Sequence, residues 1–326
     1  MRLLKLVPDN TNIGFVKLRW IAFTLTGLLT LASVALLGIR GLNLGVDFVG
    51  GLMVETEFQK PVSLDELRRD VDRLGVGESS LQQFGQTNVV SIRLPLPEST
   101  DEGATNQVVK KVQGALEAKY PGVQFRRTDT VSGKVSGELI RTGVTAVVLS
   151  IIGIALFSWF RFEWQFGFST AVAIIHDVLV TMGFFALTQI EFDLSIVAAV
   201  LTIVGYSIND KIVIDDRIRE NLRKYRQMDM RALVDLSVNE TLPRTVMTSL
   251  TLLLALGSLL LFGGDVIRGF TAAMMLGILV GTYSSIYVSS SLLISLGVTA
   301  KSFAPKTAAT GAERVTKREN NEGAVP

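Results

Sequence analysis

The chain has no cysteine and a single histidine, His176. The first absence excludes disulfides and thiolate metal sites, and the second argues against a zinc site built from imidazoles. Charge of one sign is also scarce. With 32 lysines and arginines against 30 aspartates and glutamates, the formal net charge is +2, too small to argue for a nucleic-acid partner. Neither a phosphate-binding glycine loop nor a nucleophile paired with a base is found, so no enzyme activity and no cofactor are expected. The chain is rich in apolar residues, 48% of its 326, and they sit in long runs. Runs of that length cross a bilayer, which makes this an integral membrane protein.

Residues 1–19 are polar and basic, with Arg2, Lys5, Lys17 and Arg19 against Asp9. Trp20 to Ile39 then supplies the ~20 largely uncharged residues that a spanning helix needs. Ser33-Val34-Ala35 is a small-x-small site of the kind that ends a secretory signal. The apolar run continues past it and the basic region is long, so an uncleaved span is expected. Five more spans are expected at 143–160, 165–188, 194–214, 245–262 and 269–298. A loop of about thirty residues (215–244) is expected between the fourth and fifth, and a disordered polar tail over 299–326.

Residues 40–141 read as a soluble insertion. Gly45-Val46-Asp47-Phe48-Val49-Gly50-Gly51 opens it with glycines suited to positive φ or close backbone approach, and Asp47 reads as a turn or cap residue. Leu52 to Phe58 alternates as a half-buried strand. Ser63 and Glu66 form a capping box ahead of Leu64, Leu67, Val71 and Leu74 at helical spacing. Two strands follow at Leu81 to Phe84 and Val89 to Leu94, then a helix marked by Val108, Val112, Ala115 and Leu116, and a last strand over Val123 to Val131. The order β-α-β-β-α-β is that of a ferredoxin-like unit. It is read as a globular module without chemistry of its own.

Lysine and arginine in short loops mark the cytoplasmic side. The N-terminus, the 161–164 loop, the 215–244 loop and the tail all fall on one side of a six-span chain, and the acidic 191–193 link falls on the other. Both termini are therefore expected in the cytoplasm and the 40–141 domain outside.

Ionisable groups at membrane depth are costly, so they face a protein interior or a watery path. In the third span Thr170, Asp177, Thr181 and Thr188 recur at i, i+7, i+11 and i+18, within roughly 40° of one another around the helix. Asp177 lies near mid-membrane. In the fourth span Thr202, Tyr206, Asn209 and Asp210 form a second polar face. In the sixth, Gly277, Gly281, Ser284, Ser291 and Ser295 form a small-residue stripe suited to close packing, and the three helices together are expected to enclose a hydrated interior.

Two readings of Asp177 stand: a buried polar group that pins helix packing, or a proton-binding site. His176 reads as its hydrogen-bond partner. Asn209 and Asp210 read equally as site residues or as solvated groups near a helix end. Arg217, with Asp216, Arg219 and Glu220, reads as a charged cytoplasmic face.

Several segments together resemble the SecD/SecF family of the bacterial Sec translocon: Gly45 to Gly51, Phe160 to Trp164 as F-R-F-E-W, Ile175-His176-Asp177, and Val204 to Asn221. Thr241 to Thr245, Leu261 to Gly264, and Gly277 to Val288 add to the resemblance. It implies an α-helical membrane protein forming half of a resistance-nodulation-division (RND) transporter. Six transmembrane helices would carry a periplasmic ferredoxin-like α+β domain between the first and second, and SecD would supply the other half. It further implies a bacterial inner-membrane protein working beside SecYEG, after SecA, on unfolded preproteins, and drawing on the proton-motive force. Asp177, Asp210 and Arg217 match the family's H-D, N-D and D-R-I-R-E-N positions. Proton entry supplies about 2.3 kcal/mol per 100 mV, enough to bias a two-state domain motion. Protonation of Asp177 at the interface with SecD is the expected trigger.

Lys211 and Asp215 depart from the family pattern. Spaced i, i+4, they are expected to pair, which would neutralise the lysine and keep it out of the proton path. Two other classes remain open. A passive scaffold would need no ion. An intramembrane aspartyl protease would use two membrane aspartates, though I-H-D and I-N-D lack that group's Y-D and G-x-G-D patterns.

Overall fold

In the computed structural model, which describes residues 8, 11–83, 87–96, 102–264 and 266–298, the chain opens with α1 (Arg19–Ile39) and a short turn of helix, α2 (Val46–Val49). The α+β domain follows as β1 (Gly51–Glu57), α3 (Leu64–Asp72), β2 (Ser80–Gln83), β3 (Val89–Leu94), α4 (Glu102–Lys119) and β4 (Gln124–Val131). Four long helices come next: α5 (Gly133–Arg161), α6 (Trp164–Thr188), α7 (Leu194–Lys224) and α8 (Met230–Phe262). The last membrane helix runs from α9 (Arg268–Tyr283) through a π-helical segment (Ser284–Ser289) into α10 (Ser290–Ser295). Among the described residues six helices are long and apolar enough to cross a bilayer.

Three of these helices start where the sequence offers an oxygen to their unpaired amides. Ser132, Asp193 and Asp229 are N-caps whose side chains accept from the N–H groups of Val135, Ile196 and Arg231. Ser132 starts α5 well ahead of the expected span at Gly143. Asp229 starts α8 within the expected loop, and α7 runs on to Lys224. The 215–244 segment is therefore helical except for a tight connection over 225–229. The cause is burial: Ile218 and Leu222 of α7 pack with Leu233, Val234 and Val238 of α8 in one apolar cluster. Pro243 is accommodated inside α8. The tail expected over 299–326 lies outside the described residues, as does Phe84.

Helix burial divides the bundle into a centre and a rim. In α6, α7 and the α9–α10 helix 56%, 44% and 56% of the apolar stretch is buried, against 11%, 6% and 11% in α1, α5 and α8. The central three are the helices with polar or small-residue stripes. Lipid tails offer no hydrophobic incentive for helices to associate, so small residues must let backbones approach. A Cβ on Gly281 would stand 3.2 Å from the Ser207 Cβ, showing how closely α9 approaches α7 there.

The sheet is fully antiparallel in the order β2-β3-β1-β4, with α3 and α4 contributing to the core on one face, the ferredoxin-like arrangement. Leu52, Val54, Val90 and Ile92 meet Leu67, Val71, Val112 and Leu116 in that core. The capping box is not formed: Ser63 is the N-cap of α3, but its side chain makes no capping hydrogen bond. Its extended backbone alone ends the preceding segment.

The domain is fastened to the bundle through the connection between α6 and α7. Gly45 N donates to Phe192 O at 2.8 Å, and Leu44 bridges Phe192. Arg93 of β3 donates to Leu44 O at 2.8 Å and pairs with Glu191 at 3.1 Å. Burial pushes the Glu191 carboxyl above its ordinary value of 4.5, against the opposing pull of Arg93. A carboxyl raised in the folded state adds stability that is complete below the unfolded value and is lost as pH rises through the folded one. Glu191→Gln should therefore flatten that part of the thermal-stability profile of the detergent-solubilised protein. Parallel wild-type and variant profiles across acidic pH would contradict the assignment.

Candidate functional site

Asp177 lies in the middle of α6, 1% exposed, where the three central helices meet. A carboxylate so placed needs donors, and two helices supply them. Ser207 of α7 donates to Oδ2 at 2.6 Å, and Ser284 donates to the same oxygen at 2.8 Å. His176 Nδ1 lies 3.0 Å from Oδ1, and its ring stands 6.5 Å from that of Tyr283. Tyr283 in turn donates to Ala22 O of α1 at 3.0 Å.

Ser284 reaches the carboxylate from the first residue of the π-helical segment. Such wide turns recur at functional positions because the extra residue re-aims side chains. Here it turns Ser284 and Ser285 inward together: Ser285 Oγ donates to Ser207 O at 3.4 Å. The apolar and small-residue pattern carries no mark of this turn. Ser207 carries no such mark either, because it lies off the Thr202-Tyr206-Asn209 face.

Most of the expected α6 stripe is polar in composition only. Thr170, Thr181 and Thr188 donate their hydroxyls to the carbonyls of Phe166, Asp177 and Phe184 on their own helix. Thr170 also shares a hydrogen bond of 3.1 Å with Ser158 of α5. On α7, Thr202 and Asn209 are exposed, while Tyr206 reaches Ser249 of α8 at 3.0 Å. Within this chain α6, α7 and the π-helical segment enclose Asp177, while Thr202 and Asn209 face outward.

Asp210 is buried at 3% exposure with Oδ2 unbonded among the described residues, and the cation acting on it is Arg244 of α8. Nothing in the span pattern had tied Arg244 to Asp210, since Arg244 stood at the end of an expected loop. Arg217 is not brought to Asp177. It pairs with Glu240 of α8 at 2.7 Å and Glu220 at 2.6 Å, at the end of the bundle away from the α+β domain. Lys211 Nζ lies 3.3 Å from Asp215 Oδ2 and donates to Ser169 Oγ at 3.0 Å, all three residues being buried.

The glycine-rich segment sits at the joint between domain and bundle. Gly50 and Gly51 have φ of 76° and 121°. Asp47 Oδ2 accepts from Leu194 N at 2.9 Å, a cap supplied to α7 from across the joint. Phe48 packs on Phe192 with ring centroids 5.8 Å apart.

Residues 111–299 match the model of the protein export membrane protein SecD/SecF C-terminal family, and 35–62 match the SecD/SecF GG motif. The chain belongs to the SecD/SecF family. Within it, the chain is 44% identical over 301 residues to the protein translocase subunit SecF of Cereibacter sphaeroides, covering 90% of this chain and 93% of that one. It is 40% identical over 291 residues to the SecF of Rickettsia rickettsii, covering 89% and 94%. Among solved structures, the translocon-associated SecDF of Thermus thermophilus superposes with a TM-score of 0.80 at 35% identity, over 89% of this chain and 39% of that longer one. A second structure, SecDF in a super-membrane-facing form, gives 0.65 at 33% identity, over 95% and 40%. This SecD/SecF-family chain thus has the architecture of one six-helix half of an RND-type transporter, with its ferredoxin-like domain between the first two helices.

Proposed function

We propose that this chain is the SecF-type half of a two-subunit Sec accessory complex. With SecD it uses the proton-motive force to promote late stages of preprotein export across the bacterial inner membrane. SecYEG is the channel it serves, SecA the motor that acts before it, and unfolded preprotein the substrate. One observation carries the reading. A carboxylate sits 1% exposed at mid-bundle, with hydroxyl donors from two other helices aimed at one oxygen and an imidazole at the other. Such a group can exchange a proton while its neighbours re-orient, and both charge states find partners.

Orientation follows from charge. Arg161, Arg217, Arg219, Arg223, Lys224, Arg226 and Arg231 cluster at the end of the bundle away from the α+β domain, where the N-terminal segment also docks through Ile13 N to Asn239 Oδ1. That end is assigned to the cytoplasm, together with both termini, and the domain to the periplasm. Coupling between them runs through the 189–193 connection, which meets Arg93 of the domain at Glu191 and leads straight into α7, whose first residue, Leu194, donates to Asp47. A scaffold without ion coupling would account for the joint but not for the Asp177 cradle. A protease dyad finds less support, because the Asp177 oxygens are held by His176, Ser207 and Ser284 rather than by a second carboxylate.

The role is tested by expressing the chain with its cognate SecD in bacteria depleted of their own SecD and SecF. The pair should restore preprotein export, and the chain without SecD should not. Equal rescue without SecD, or none from a pair that accumulates in the membrane, would contradict it.

A further inference from the structure

Buried hydroxyls lie in two hydrogen-bonded groups between Asp177 and the cytoplasmic end of the bundle, one around Asp177 and one around Lys211. Ser207 and Ser284 hold the carboxylate, and Ser285 lies beside them, donating to Ser207 O. One π-turn further on, Ser289 donates to Ser169 of α6 at 3.4 Å, and Lys211 Nζ donates to the same Ser169 at 3.0 Å. The second group ends at Asp215, one turn beyond Lys211 on α7. Every one of these residues is buried.

The Lys211–Asp215 pair is poorly satisfied for a structural element. Asp215 is 1% exposed, yet its Oδ1 accepts no hydrogen bond among the described residues. An ion pair left part-satisfied in a low-dielectric interior is generally no better than apolar residues of the same volume. Toward the cytoplasmic end, Ile214, Ile218 and Leu222 pack with Phe162 and Phe166, so the pair lies behind an apolar seal. No other charged side chain bonds to either member among the described residues, and Asp210 is instead acted on by Arg244.

We propose that Lys211 and Asp215 form a second proton station, which receives the proton released by Asp177 through the serine hydroxyls. This rests on the reading of Asp177 as the ion-coupling group, and it replaces the expectation that pairing removes Lys211 from the path. The ammonium of Lys211 gives a proton to Asp215 Oδ2: an N–H bond breaks, an O–H bond forms, and the pair becomes amine and acid. The amine then takes a proton from Ser169 Oγ. Ser169 is reprotonated by Ser289 as the Asp177 O–H bond breaks: the Ser285 hydroxyl takes that proton by way of Ser207 or Ser284 and turns from Ser207 O to hand its own to Ser289, so each hydroxyl accepts one proton and passes on one. Lys211 is again an ammonium. Asp215 releases its proton to the cytoplasm when the apolar seal parts, so one proton has moved and every intermediate hydroxyl is restored.

The test uses the full chain assembled with SecD in membrane vesicles, reading gradient-dependent preprotein export. The key variant is the apolar double substitution Lys211→Met with Asp215→Leu, compared with Asp177→Asn. If the pair is a proton station, the double variant assembles and melts as the wild type does but loses the gradient-dependent part of export. Wild-type export from the double variant, with loss in Asp177→Asn, overturns this inference alone. Gradient-dependent export that survives in Asp177→Asn overturns the reading beneath it as well. Should the double variant fail to accumulate, infrared difference spectra of the wild-type complex under an imposed gradient decide instead. A carboxyl band that moves on Asp215→Glu is expected, and a spectrum unchanged by that substitution overturns the proposal.

Discussion

Valine in place of Gly51 should uncouple the α+β domain from the helices and leave the chain inactive in export. Gly51 begins β1 with φ of 121°, a region in which side-chain-bearing residues are strained, at a cost of about 1–3 kcal/mol. A Cβ there would lie 2.7 Å from the carbonyl oxygen of Leu94, which is backbone in the paired strand and has no rotamer to change. Relief requires β1 and β3 to separate at the end where Leu52 faces Leu94, next to Arg93 and its link to Glu191. A β-branched residue adds overpacking of roughly 1–3 kcal/mol on top of the strain. The expected signature is loss of protease protection across residues 51–131 while the membrane helices remain inserted. Gly38→Val is the control, since nothing stands within 4 Å of a Cβ there. A Gly51→Val protein with wild-type protection would show that the joint tolerates movement and that the domain is not held through it.

Much of this was legible from residues alone. The six spans, the β-α-β-β-α-β order and the three central helices follow from hydrophobic runs, strand alternation and polar stripes, each a short-range signal. Helix lengths were less legible. The extensions of α5, α7 and α8 beyond their apolar runs depend on caps at Ser132 and Asp229 and on packing between α7 and α8, and run length does not register those contacts. Asp177 stood out as an isolated carboxylate in an apolar helix. Its donors did not, because Ser207 lies off the polar face of α7 and Ser284 is aimed by a π-turn that leaves the apolar pattern unchanged. The threonines misled in the opposite direction. A stripe drawn on a helical wheel cannot tell a hydroxyl that faces a partner helix from one that folds back on its own backbone.

Asp177 has the largest expected effect on function. An asparagine keeps the shape and can still accept from Ser207 and Ser284, so the cradle and the assembly with SecD should survive, while the group can no longer take up and release a proton. The scaffold reading predicts no change from this substitution. The direct measurement is export of a reporter preprotein into membrane vesicles containing the chain with SecD, for wild type and Asp177→Asn at equal abundance, with and without a proton gradient. The variant should export like the wild type without a gradient and gain nothing when one is imposed. Export that rises with the gradient as steeply in Asp177→Asn as in the wild type would contradict proton coupling at this site and leave Asp177 a packing residue.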